Sequence, residues 1–407
     1  MYVNAFIGGE MLDPVEIKKD VYWVGGIDWN ARYFHGYTTE MGITYNAYLI
    51  VDEKVVLVDT TKKPFASDLI DRISNIADPS KIDYIISNHV EMDHSGAIPE
   101  IMKLAPNATI VTSSPQGLKG LTAHYGDNYN YMGVKTGDTL NIGKRTLSFV
   151  QTPMVHWPDN MVTYDEFDKI LFSNDAFGQH IATSARSDAK NDFEEVMYQA
   201  KKYYANIVQP YSMQAGRAVA AVKKLDLDYI CPSHGVIWKD HIDDILDAYT
   251  SWTNKEVKEK AIVVYDSMWS TTAKMARAIA EGFANDNIEV HLYDLKVNHP
   301  SDVMCEFLDS KYVCVGSPTL NSQMLPNVAA FLTYMKGLSP KNENRVGIAF
   351  GSYGWAPIGP KNVEAELESV GFNIPIPVLK NQWLVNDENL NNIKKLVSSC
   401  VKGDMKD

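Results

Sequence analysis

Ser87-Asn88-His89-Val90-Glu91-Met92-Asp93-His94 places two imidazoles and two carboxylates within six positions, at the end of an apolar run over 84–87 that reads as a strand. Packing does not account for such density, because each buried polar group would need a partner of its own. His89 and Glu91, two residues apart, can face the same side of an extended segment, while a turn at Asp93 and His94 can aim a second pair at a neighbouring metal. Three further candidates each follow a separate strand: His156 in Thr152-Pro-Met-Val-His-Trp-Pro158, Asp175 in Leu171-Phe-Ser-Asn-Asp-Ala-Phe-Gly178, and His234 in Cys231-Pro-Ser-His-Gly235. Seven ligand-type side chains from four loops suit two metals sharing one carboxylate.

Upstream, Asn46-Ala-Tyr-Leu-Ile-Val-Asp-Glu-Lys-Val-Val-Leu-Val-Asp59 reads as two strands joined by a tight polar turn, with a helix after it over 64–76. Strands are expected at 84–87, 109–112, 146–151, 161–164, 170–173 and 229–231, and helices near 193–204 and 215–225, which makes 21–252 a layered α/β domain. The charged stretch 253–260 carries no strand pattern and precedes the apolar run 261–265. The domain boundary is placed there, giving 1–255 and 256–407. In the second part, strands at 261–265, 289–293, 312–316 and 346–350 and one last strand alternate with helices at 272–284, 327–335 and 362–370 and a last helix. Five strands with crossover helices form a doubly wound parallel sheet.

The bulk properties narrow the function. At 407 residues the chain is too long for one ordinary core. No apolar run approaches the ~20 residues of a membrane-spanning helix. Residues 1–12 lack the basic start and apolar stretch of a secretory signal, so the expected location is the cytoplasm. A formal charge of -13 argues against a nucleic-acid partner, which would need a basic stripe. Cys231, Cys305, Cys314 and Cys400 lie far apart and form no Cys-x-x-Cys pair, so no zinc knuckle or rubredoxin-type site can be built locally; they read as reduced and mostly buried.

After the first strand of the second part comes Ser267-Met268-Trp269-Ser270-Thr271-Thr272, a hydroxyl-rich turn opening a helix. Such a turn holds a phosphate monoester well, because the unpaired N–H groups and the helix dipole both favour an anion, although a Ser/Thr cluster is also an ordinary helix cap. Two later loops, Ser317-Pro318-Thr319-Leu320-Asn321 and Ser352-Tyr353-Gly354-Trp355, converge beside it at the carboxyl edge of an open sheet. Trp269, Tyr353 and Trp355 are candidates to lie against a flat ring or, alternatively, packing plugs. Together the loops resemble flavodoxin over 261–400, and the implied ligand is FMN.

The order His-x-Glu-x-Asp-His, then His, Asp and His at widening spacing, resembles the metallo-β-lactamase superfamily, with Glu91 where the usual motif has a histidine. A carboxylate there makes the site harder and more anionic, which favours iron over a zinc-bound hydroxide. That pattern, followed by the flavodoxin-like half, resembles the flavodiiron proteins, or A-type flavoproteins, over nearly the whole chain. The resemblance implies an α/β chain with an N-terminal metallo-β-lactamase-like αββα sandwich followed by a flavodoxin-like doubly wound parallel sheet. It implies one iron held by His89, Glu91, His156 and Asp175 and another by Asp93, His94, Asp175 and His234, with Asp175 bridging. The implied activity is four-electron reduction of dioxygen to water, two electrons coming from the irons and two from FMN. His35, and Tyr203 or Tyr204 on a helix, are candidate proton donors or, alternatively, satisfied core aromatics; His180 matches no ligand role.

A head-to-tail homodimer or dimer of dimers is implied by the same family, since it brings one subunit's flavin to its partner's irons. Electrons are expected from an external donor. The segment Asp28-Trp-Asn-Ala-Arg-Tyr-Phe-His-Gly-Tyr-Thr38 and the short architecture resemble methanogen members that oxidise reduced deazaflavin coenzyme F-420. Rubredoxin feeding an oxygen or nitric oxide reductase is the runner-up. A zinc hydrolase fused to a flavodoxin is the alternative from another class, and Glu91 stands against it.

Overall fold

The computed structural model describes residues 13–339 and 344–404, so residues 1–12, read above as carrying no secretory signal, lie outside it. Two compact units emerge: Met1–Phe34, Thr39–Ala200 and Met213–Tyr249 form one, and His35–Thr38, Lys201–Ser212 and Thr250–Asp407 the other.

In the first unit the hairpin of Tyr48–Val51 and Val55–Val58 pairs Tyr48 with Val58 and Ile50 with Val56. Tyr48, Ile50, Val56 and Val58 point into a core shared with Leu147, Phe149, Met161 and Phe172 of a second sheet. Leu49 and Leu57 point the other way, onto helices Ala66–Ser74 and Ile98–Leu104. A fully buried side chain of this size contributes about 1.5–3 kcal/mol. A one-residue slip would exchange the two faces, so the alternation fixes the register.

The first sheet runs Val15–Lys18, Val21–Trp23, Tyr48–Val51, Val55–Val58, Ile82–Ser87, Thr109–Ser113, Asn130–Val134, and the second runs Thr139–Asn141, Thr146–Gln151, Met161–Asp165, Ile170–Asn174, Tyr229–Pro232. Helices complete an αββα sandwich; on Ile242–Thr253, Tyr249 packs its ring 4.6 Å from Phe177 and accepts a hydrogen bond from the Phe177 N–H.

The second unit carries a parallel sheet in the order Glu289–Asp294, Lys258–Tyr265, Ser310–Gly316, Val346–Tyr353, Leu379–Gln382. Ile262 and Val264 face helices Pro300–Phe307, Pro326–Leu338 and Ile358–Ser369. Ala261 and Val263 face Thr271–Asn285 and Asp387–Lys402. Burial on both faces explains the unbroken apolar run of that strand.

Two local expectations differ from the structure. The charged stretch 253–260, read as carrying no strand pattern, ends in strand: Lys258–Lys260 belong to the first strand of the second unit, and Thr253 closes the helix Ile242–Thr253. Lys260 is buried there because its ammonium reaches Asp309 at 2.5 Å and Glu306 at 2.6 Å, so a lysine fits a core strand position. The helix expected at 193–204 ends as Phe193–Tyr203 and passes through a π-helical turn, Tyr204–Val208, into Ser212–Val222. Asn206 supplies the reason: its Nδ2 donates to the Lys202 carbonyl at 2.8 Å, taking the acceptor an α-turn would use, and Pro210 lacks an N–H.

Candidate functional site

The four metal-type loops follow the carboxyl ends of four strands, and the structure brings all seven expected side chains into one buried cluster. His89, Glu91, His156 and Asp175 present ligand atoms that all lie within 4.8 Å of one another, and Asp93, His94 and His234 form an adjoining set of the same compactness. Glu91 Oε2 stands 3.2 Å from His89 Nε2 and 3.4 Å from His156 Nε2. Asp93 Oδ2 stands 3.4 Å from His94 Nε2 and 3.3 Å from His234 Nε2.

Asp175 divides its two oxygens between the sets. Its Oδ2 faces His156 at 3.4 Å and His89 at 3.7 Å, while Oδ1 faces His94 at 3.0 Å and His234 at 3.6 Å. Ligands held about 2.1 Å from one ion stand about 3.0–3.4 Å apart in octahedral or tetrahedral geometry, which is the spacing seen. Both oxygens of Asp93, both of Asp175 and both ring nitrogens of His94 are buried with no hydrogen-bond partner among the described residues. Burial leaves such groups costly unless something else satisfies them, and a pair of cations would. The residues fit two metal ions.

Electrostatics inside the cluster point the same way. Burial pushes His94 down, but the Asp93 and Asp175 carboxylates outweigh it and hold the imidazole at about 9. Burial opposes ionisation of Asp175, yet His94 and His156 keep it well below the usual carboxylate range.

Two supporting carboxylates escaped the sequence reading. Asp59, at the end of the strand Val55–Val58, accepts from Asn88 N at 2.8 Å, Asn88 Nδ2 at 3.1 Å, Asn174 Nδ2 at 3.4 Å and Ser233 Oγ at 3.4 Å. Each of those three residues immediately precedes a cluster residue, His89, Asp175 or His234, so one buried carboxylate pins three loops. Its signal was an acid ending a run of four apolar residues. Asp159 accepts from His89 Nδ1 and from Val90 N, both at 2.8 Å; it sat three residues after His156, in plain view but without a partner nearby in sequence. His180 is buried with its ring edge-on to His234 at 4.8 Å and to Phe34 at 4.9 Å, outside both ligand sets.

His35 is exposed on the turn between Tyr33–Phe34 and Tyr37–Thr38, and Tyr203 is buried at the end of its helix; both belong to the second compact unit. A third grouping, Glu289, His291 and Glu306, is partly exposed, and Lys260 already lies against Glu306.

In the second unit a cavity of about 370 Å³ is lined by Met268, Trp269, Thr271, Pro318, Thr319, Ser352, Tyr353, Gly354 and Trp355, joined by Trp383 and Leu384 from a fourth loop. Trp269 and Trp355 are 85% and 74% exposed, so in this unit they are displayed around the cavity and plug nothing. The Thr272 and Ser352 hydroxyls meet at 3.0 Å and the Thr319 N–H donates to Ser352 O at 2.9 Å, which locks the three loops together. Gly351 is required here, since a Cβ would lie 1.9 Å from Ser317 O. Ser317 turns inward, accepting from the Leu325 N–H, and Leu320 packs on the core; neither lines the cavity, nor do Ser267, Ser270, Thr272 and Asn321. Ser270 makes no side-chain cap on Thr271–Asn285, so the first-turn N–H groups keep their capacity for an anion.

Comparison with known proteins adds kinship to this geometry. Residues 43–235 match the family model described as ODP family beta lactamase, and 263–394 match Flavodoxin. A protein of Moorella thermoacetica named nitric oxide reductase is 45% identical over 93% of this chain and 96% of its own length. The solved rubredoxin oxygen:oxidoreductase of Desulfovibrio gigas is similar at 37% identity, covering 97% of this chain and all 100% of that one, with a TM-score of 0.92. The flavodiiron protein of Giardia intestinalis is 35% identical over 97% of each chain, with a TM-score of 0.94.

Proposed function

Since the chain belongs to the flavodiiron protein family, we propose that it reduces dioxygen to water at a two-iron centre held by His89, Glu91, Asp93, His94, His156, Asp175 and His234, with electrons passed through FMN. The observation that carries this reading is the bridging position of Asp175, one oxygen toward each set of ligands. When bound, the irons supply a redox-active pair able to bind oxygen, and FMN supplies two further electrons. The carboxylate of Glu91 suits iron where an imidazole would suit zinc.

The chain's own residues do the rest. Residues 1–255 form the diiron domain in this reading and 256–407 the flavin domain. Thr271, Thr319 and Ser352 would offer hydroxyls to FMN, the start of the helix Thr271–Asn285 would hold its phosphate, and Trp269, Trp355 and Trp383, which line the same cavity, would supply flat apolar surface for its ring. His35 is the proton source, with Tyr203 as the second candidate; replacing each and following oxygen uptake against pH assigns the role. The protein acts in the cytoplasm as a head-to-tail homodimer or dimer of dimers; no helix among the described residues is long and apolar enough to cross a membrane.

Reduced deazaflavin coenzyme F-420 is the electron donor in this reading, on the likeness of 28–38. A second reading, rubredoxin as donor with nitric oxide as substrate, draws on the names of the Moorella and Desulfovibrio relatives. The test is anaerobic loading with iron and FMN, then reduction of the bound flavin by each donor and consumption of oxygen or nitric oxide. Two irons and one FMN per chain with oxygen uptake support the proposal; a protein that takes up no iron sinks it.

A further inference from the structure

We propose that the two metal positions are unequal by construction, the set built on His89 holding the first ion, and that Asp159 is the positioning residue that makes them so. The inference rests on the reading of this pocket as a two-metal centre. The inner shells do not distinguish the positions: one has Glu91 and one oxygen of Asp175, the other has Asp93 and the second oxygen of Asp175. Each position therefore sees the same number of carboxylates.

What lies behind the imidazoles differs. His89 Nδ1 is 2.8 Å from Asp159 Oδ2, leaving Nε2 as the ring atom that faces Glu91 and Asp175. Asp159 is buried, and its only ion-pair partner among the described residues is His89. The carboxylate is fixed by the Val90 N–H at 2.8 Å, and its main-chain carbonyl accepts from Ser113 Oγ at 2.6 Å. A carboxylate behind a ligating imidazole fixes the tautomer and raises the basicity of the metal-facing nitrogen.

In the other set the backing is neutral or missing. His234 Nδ1 lies 2.6 Å from the Thr44 carbonyl, which carries no net charge. Among the described residues neither ring nitrogen of His94 has a hydrogen-bond partner. The buried Asp59 acts on His94 through space and directs its own hydrogen bonds to Asn88, Asn174 and Ser233, so among the described residues the carboxylate hydrogen-bonded directly behind a metal-facing imidazole is Asp159, at the His89 position. That position binds a cation more tightly, and of two ions in different oxidation states it favours the higher charge.

Anaerobic titration of the full-length apoprotein with Co(II), read by calorimetry and by the visible bands of the bound cobalt, tests this. Two steps of unequal affinity are expected. Asp159→Asn keeps an acceptor for His89 and removes the charge; it should weaken the tighter step by about 10–100-fold and leave the weaker step and its band unchanged. Should that variant fold poorly, His234→Ala must keep the tight step and His89→Ala must lose it. Two equal steps in the wild-type protein, or an Asp159→Asn effect shared by both steps or absent from both, overturns the inference alone. A wild-type protein that binds no cobalt overturns it together with the two-metal reading.

Discussion

Replacing Asp59 by alanine should loosen three metal loops at once. Its carboxylate ends hydrogen bonds from Asn88 N, Asn88 Nδ2, Asn174 Nδ2 and Ser233 Oγ, all buried. Leaving a buried donor unsatisfied costs about 1–3 kcal/mol. The Ser233 hydroxyl can turn elsewhere, so three amide donors remain, giving about 3–9 kcal/mol before relaxation. Burial raises the Asp59 carboxyl above its ordinary range, so truncation also removes an unfavourable desolvation and the net lies near the lower end, about 3–4 kcal/mol. For a domain of this size, 1 kcal/mol moves the midpoint by about 2–4 °C, so a fall of about 6–16 °C is expected. Asp59→Asn keeps the shape and one acceptor, and should lose roughly half as much. The assay is thermal unfolding followed by circular dichroism, together with metal content per chain. An alanine variant that melts within about 2 °C of the parent and retains both metals would show that the loops are held by something other than this carboxylate.

Three further outcomes are expected. Lys260→Met removes one of the ammonium groups that, with Lys201, hold Asp309 below its ordinary range against the opposing effect of burial; with Lys201 still present the loss should be about 3 kcal/mol at neutral pH. Because the folded value is depressed, the stabilisation is present above the unfolded carboxylate value of about 4 and fades as pH falls toward the folded one, so denaturant curves of parent and variant should converge on acidification; a gap that stays constant with pH refutes the pairing. Arg186 is buried against the ring of Trp23 at 4.7 Å with none of its three nitrogens hydrogen-bonded among the described residues, and burial pulls it down to about 10; Arg186→Met should therefore stabilise by about 1–4 kcal/mol, and a lowered melting midpoint would count against this. Trp383→Ala should weaken FMN binding by roughly 2–10-fold if the indole stacks on the ring for about 0.5–1.5 kcal/mol, as measured by flavin fluorescence on release; an unchanged dissociation constant removes Trp383 from the site.

How much of this was legible in the chain follows from where each signal sits. The ligand side chains were readable because chemistry concentrates them: four of them fall within Ser87–His94, and the remaining three each follow the end of a strand by one to five residues. The parallel sheet was readable because both its faces are buried, which leaves unbroken apolar runs such as 261–265. Lys260 defeated the same logic, since its partners Glu306 and Asp309 lie more than forty residues away and only the fold brings them to it. Trp383 and Leu384 were missed for a related reason: they follow a short strand, Leu379–Gln382, whose alternating pattern of buried and exposed residues carries no long apolar run.

The supporting carboxylates mark the deeper limit. Asp59 and Asp159 look in sequence like ordinary acids, one after a strand and one in a Pro-containing turn, because a supporting group needs no company of its own kind nearby. Their partners lie 29 to 174 positions away for Asp59 and 70 positions away for the His89 ring. Inner ligands must cluster around an ion and therefore leave a local imprint, whereas the groups that orient them are chosen by the packing of loops and leave none. The difference between the two metal positions lies wholly in that second layer. A chain with the same seven ligands and asparagine at 159 would read identically as a ligand pattern, yet on these grounds it would fill its two positions with nearly equal ease.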